Sequence, residues 1–94
     1  MTPEQFARFI ESVESTPFAH DRVARVKATP AGQRVTTAQA VALAQTVPHP
    51  SLQVEALAAL YPRVTDPQNF ESAYATLGFA HDRERLRNRV RALR

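Results

Sequence analysis

The pentapeptide Phe18-Ala19-His20-Asp21-Arg22 returns unchanged as Phe79-Ala80-His81-Asp82-Arg83, and a divergent copy, Val47-Pro48-His49-Pro50-Ser51, lies between them at spacings of 29 and 32 residues. A second element is interleaved with the first: Thr2-Pro3-Glu4-Gln5, then Thr36-Thr37-Ala38-Gln39, then Asp66-Pro67-Gln68-Asn69. Two marks recurring at about 30 residues point to three copies of one supersecondary unit, covering roughly residues 2–28, 36–61 and 66–93. The chain has 94 residues, which is the length of one domain, so 1–94 reads as a single helical domain.

The opening element of each unit is a helix start. Thr2, Thr36 and Asp66 can accept from free backbone N–H groups as N-caps, and proline in the next position suits a first turn. Gln5 and Gln39 stand at capping-box distance, and Asn69 holds the same place in the third copy. Each start feeds apolar residues at helical spacing: Phe6, Phe9, Ile10, Val13; Ala40, Leu43, Ala44, Val47; Phe70, Ala73, Tyr74, Leu77. The histidine element starts the second helix of each unit, followed by Val23 and Val26, by Val54, Leu57, Ala58 and Tyr61, and by Leu86, Val90 and Leu93. Thr29-Pro30-Ala31-Gly32 and Tyr61-Pro62-Arg63-Val64-Thr65 separate the units. The expected fold is all-α: six short helices in three stacked hairpins, as a short α-solenoid or a compact orthogonal bundle, with the second helix of the first unit the shortest. One apolar stripe per helix leaves no hairpin able to bury its surface alone, so the three must pack together.

The stretch Tyr61-Pro62-Arg63-Val64-Thr65-Asp66-Pro67-Gln68-Asn69-Phe70 resembles a helical family of bacterial and animal proteins, domain-of-unknown-function family 4476. Its pattern is an aromatic-Pro pair leading into Asp-Pro-x-Asn-aromatic, a Phe with a polar cap at each hairpin turn, and a Thr-x-x-Gln start on the middle unit. Phe6, Phe18, Gln39, Tyr61, Pro62, Asp66, Asn69, Phe70 and Phe79 match it across nearly the whole chain. The chain departs from it at Val47, where an aromatic is expected, and at Ala19 and Ala80, where the polar cap is expected; capping then passes to His20 and His81 or to water. The resemblance implies a helical fold and no particular activity.

Composition removes several chemistries. There is no cysteine, so thiolate metal sites, disulfides and cysteine nucleophiles are out, and two glycines make no phosphate loop. No apolar run approaches the ~20 residues of a membrane span, and no basic-then-apolar leader opens the chain; a chain complete at these termini is expected in the cytoplasm. His20, His49 and His81 read as cap or turn residues, since equivalent positions in stacked units stand about 10 Å apart while zinc ligands lie about 2 Å from their metal. His20-Asp21 and His81-Asp82 are neighbours on a helix and diverge, Glu11 and Glu14 face outward, and Ser12, Ser15, Ser51 and Ser72 lie in plain contexts. No catalytic residue, cofactor or metal is expected.

Charge is the sharpest signal. Residues 79–94 hold Arg83, Arg85, Arg87, Arg89, Arg91 and Arg94 against Asp82 and Glu84, a balance of +4, and the rest of the chain is at −1, which together make the overall +3. At about 100° per residue, Arg83, Arg87, Arg91 and Arg94 share one flank about 80° wide. They are the candidate contacts for an anion or a partner. His49, in the loop that breaks the repeat, and Tyr61, an aromatic with a polar tip, are candidate partner contacts. The expected function is a non-catalytic protein-interaction module whose partner is another protein or a further domain of a longer chain. The alternative is nucleic-acid or anionic-surface binding through the arginine helix.

Overall fold

Residues 1–30 and 32–94 are described by a computed structural model; Ala31, inside the first expected breaker, lies outside the described residues. Six α-helices follow one another: α1 Pro3–Glu14, α2 Ala19–Lys27, α3 Thr37–Gln45, α4 Pro50–Leu60, α5 Glu71–Ala75 and α6 Ala80–Leu93. Single 3-10 turns at Tyr61–Arg63 and Pro67–Asn69 precede α5. The class is all-α, and among the described residues there is no strand.

Local chemistry accounts for the helix starts at α1 and α3. The Thr2 hydroxyl accepts from the Gln5 N–H while the Gln5 side chain accepts from the Thr2 N–H, and Thr36 and Gln39 repeat the exchange. The third start differs. Asp66 opens the 3-10 turn, and its carboxylate turns away from the backbone of that turn: Oδ1 accepts from the Thr37 N–H at 2.7 Å and the Thr37 hydroxyl at 3.0 Å, and Oδ2 accepts from the Asn69 side chain at 3.1 Å. Thr37 is the first residue of α3 and is buried, so Asp66 satisfies an orphan donor of another helix. Deprived of that cap, α5 loses its first turn and is the shortest helix, shorter than α2, which the sequence pattern put in that place.

Three turns inside the chain are closed by the same pair of devices. Ser15, Thr46 and Thr76 are C-caps whose hydroxyls donate to the carbonyl three residues back. Six residues past each of Thr16, Val47 and Leu77, the side chains of Arg22, Gln53 and Arg83 donate back to that carbonyl at 2.7 Å. The N-caps of α2, α4 and α6 are then Phe18, His49 and Phe79, spaced 31 and 30 residues apart. His49 is thus equivalent to Phe18 and Phe79, and His20 and His81 lie two residues further in. The sequence comparison paired Val47 with Phe18 and Phe79, but Val47 is buried while Phe18 is 68% and Phe79 58% exposed. None of the three N-caps makes a side-chain cap bond, and among the described residues no histidine side chain accepts from a helix N–H.

The core centres on α4. Leu52, Val54, Ala56, Leu57, Ala58 and Leu60 are all buried, so α2, α3 and α6 cover most of this helix and leave the side of Ser51, Glu55 and Ala59 toward solvent, where the sequence suggested a single apolar stripe. Consecutive helices α1–α2, α3–α4 and α5–α6 touch; so do α1–α3, α3–α5, α2–α4 and α4–α6. At the periphery, Val13 alone of the α1 stripe is fully buried. In α6, Asp82, Leu86 and Val90 are buried, while Phe79 and Leu93 of the expected stripe stay exposed. The two linkers are zipped together by a parallel bridge between Val35 and Val64. Arg63 reinforces it by donating to the Pro30 carbonyl and Arg34 by donating to the Pro62 carbonyl.

Candidate functional site: a basic hollow beside two tyrosines

The end of α4 and the end of α6 meet on one side of the molecule. Tyr61 follows α4 directly, its ring edge-on to Phe70 at 4.9 Å, and Phe70 is edge-on to Tyr74 at 5.4 Å. Over the Tyr74 ring lies the Arg87 guanidinium, its Cζ 4.9 Å from the centroid, an attractive cation–π geometry. Arg94 Nε donates to the Tyr61 hydroxyl at 3.3 Å. Arg87, Arg91, Arg94, Tyr74, Glu71 and Val90 surround a hollow of about 150 Å³.

The hollow sets three guanidinium groups against one lining carboxylate, Glu71. Among the described residues, ion pairs join Lys27 to Glu55 and Asp82 to Arg85, and no carboxylate lies within 4.0 Å of Arg87, Arg91 or Arg94. Arg91 donates only to the Asn88 side chain, at 3.3 Å. Burial pushes the Tyr74 phenol above its ordinary range, helped by the negative charge of Glu71, so it remains a neutral hydroxyl at physiological pH. The Tyr61 contact raises the already high pKa of Arg94.

The candidate residues separate into groups. Arg87, Arg91 and Arg94 converge with Tyr61 as neighbours. Arg83, on the same helix flank, is half-buried and closes its own turn on the Leu77 carbonyl. His49 is exposed at the far end of α4, about 18 Å from Tyr61 at the rise of a helix. Tyr74 and Glu71 belong to the hollow although the sequence assigns Tyr74 to the core and gives Glu71 no role. Their spacing of three on one helix was a readable sign that they share a face; their meeting with Arg87 depends on how α5 packs on α6. His81 Nε2 comes within 3.5 Å of Asp82 Oδ1 without a hydrogen bond between them, and that oxygen accepts from Arg85 at 3.4 Å. No group of three His, Asp or Glu side chains among the described residues is placed to hold a metal ion. Nor is any helix among them long and apolar enough to cross a membrane.

A small helical domain carrying one compact basic hollow, flanked by aromatic rings, is the class these features define. The family model for a domain of unknown function, DUF4476, matches residues 1–90, and the chain belongs to that family. Searches of the curated proteins and of the solved structures matched nothing.

Proposed function

We propose that this chain is a non-catalytic protein-interaction module, built from three copies of one helical unit, that docks an acidic segment of its partner on the arginine face at the end of α6. The observation that carries the reading is the set of three arginines gathered around one hollow with no carboxylate of their own within 4.0 Å. A cation cluster left unneutralised on a surface attracts an acidic partner and steers its approach. The recurrence of the same side-chain hook at Arg22, Gln53 and Arg83 supports the three-unit reading.

Protein is favoured over nucleic acid because the arginine flank is not continuous. Arg83 is engaged at Leu77 and Arg85 at Asp82, so only the last two turns of α6 offer free guanidinium groups. Tracking a duplex backbone needs several phosphate contacts along a groove. Titration of a nonspecific duplex at two salt concentrations tests this: no binding at low salt is expected, and micromolar binding that weakens steeply with salt would instead favour the nucleic-acid reading. Arg87→Glu with Arg91→Glu should abolish capture of a partner protein that the unaltered chain retains, with helicity by circular dichroism unchanged.

A further inference from the structure

Resting on that reading, we infer that the hollow bounded by Arg87, Arg91, Arg94 and Glu71 is a receptor for one carboxylate of the partner, a side-chain or terminal carboxylate, and that Glu71 tunes its affinity downward. The guanidinium groups are already held in place. Arg87 lies against the Tyr74 face and Arg94 is tied to the Tyr61 hydroxyl, contacts that use a ring face and one N–H and leave the other donors of both forks open. Holding them with aromatic contacts fixes geometry without consuming charge, so an arriving carboxylate finds preorganised donors. At about 150 Å³ the space suits one oxyanion group, and it is below the ~300–1,000 Å³ typical of pockets that enclose a whole small molecule. Glu71 lines the same hollow. Its charge repels the incoming group, so neutralising it should strengthen binding while neutralising an arginine weakens it. A general surface-charge effect would give the same two signs, so the hollow is identified by comparison with Arg89→Gln, an equal charge change on the other side of α6, which should alter binding far less than Arg91→Gln.

The test is fluorescence anisotropy of a labelled peptide of alternating glutamate and glycine added to the whole chain at about 0.01 M salt, where screening is weak. Arg91→Gln, whose side chain touches only Asn88, should weaken binding about tenfold, the loss of a charge-assisted hydrogen bond. Glu71→Gln should tighten it about threefold to fivefold, from removal of a like charge at contact distance. The peptide with glutamine in place of glutamate should not bind, and the Nε–H resonances of Arg87 and Arg94 should shift with the acidic peptide. Circular dichroism of each variant shows that the fold is retained. If the unaltered chain binds no acidic peptide, the acidic-partner reading falls and this inference with it. If binding occurs but neither substitution changes it, the hollow is not the receptor, and the broader reading stands. Displacement of the peptide by inorganic phosphate at concentrations where acetate has no effect would overturn the assignment to a carboxylate.

Discussion

Arg22 makes three side-chain hydrogen bonds, as many as the Asp66 carboxylate. Its guanidinium donates to the carbonyls of Thr16, Thr46 and Glu14 at 2.7, 2.5 and 2.9 Å, binding the end of α1 to the end of α3. These carbonyls lie where helix ends leave acceptors without intrahelical partners. Arg22→Met should therefore destabilise the chain by about 2–3 kcal/mol in urea denaturation, against about 1 kcal/mol for Gln53→Ala, which loses one neutral hydrogen bond. Equal losses would mean that the bonds to Thr46 and Glu14 contribute nothing. Asp66 is the second such residue. Hydrogen bonds from the Asn69 side chain and then the Thr37 N–H hold its carboxyl below the ordinary 3.8, so its ionised form belongs to the folded state. A depressed carboxyl contributes stability that is complete above the unfolded value and is lost as pH falls through the folded one. The melting temperature of Asp66→Asn should lie below that of the unaltered chain at neutral pH, and the gap should close as pH drops below 3.8. A gap that persists unchanged into strong acid would show that charge at this position is irrelevant. Neither role could be read from the sequence, where Arg22 is one of eleven arginines and Asp66 stands in a good N-cap position.

The helices divide into those whose ends are written locally and those whose limits are set by neighbours. The Thr2–Gln5 and Thr36–Gln39 boxes act within four residues, so the starts of α1 and α3 are legible from the letters alone. The start of α5 is not, because the acid that would cap it is claimed by Thr37, 29 positions earlier in the chain. The second helices carry the histidine element at their N-termini, but His49 stands in the register of Phe18 and Phe79, two residues from the alignment the letters suggest. An apolar letter at the turn can be a buried Val47 or an exposed Phe18, and only the hydrogen bonds to the turn carbonyls show which positions correspond. Burial ranks the elements as well. Leu57, fully enclosed in α4, should cost about 3 kcal/mol or more when truncated to alanine, since a cavity is left among its neighbours. Leu93, half-exposed near the end of α6, should cost under about 0.5 kcal/mol by the same substitution and the same denaturation measurement.

Across the whole molecule, the radius of gyration is 12.2 Å, against about 12.4 Å expected for a compact domain of this length. Helices α2, α3 and α6 pack around α4, and the six helices do not extend into an open row. Native-state hydrogen exchange should accordingly find the slowest amides in α4 and much faster exchange in α1, whose apolar face is only partly covered. Equal protection of the two helices would contradict the placement of α4 at the centre. The basic hollow belongs to this scale too, since it joins α5, α6 and the turn after α4.

The sequence alone determined that this chain is helical, roughly where its helices begin, and that its excess positive charge sits in the last helix. Those properties depend on caps, breakers, periodicity and composition, all of which act over a few residues. Tertiary structure decided which helix is central, which residue Asp66 serves, and which three of six arginines gather beside Tyr61 and Tyr74. Those outcomes depend on contacts between residues some 13 to 33 positions apart, and chain periodicity carries no information about such pairings.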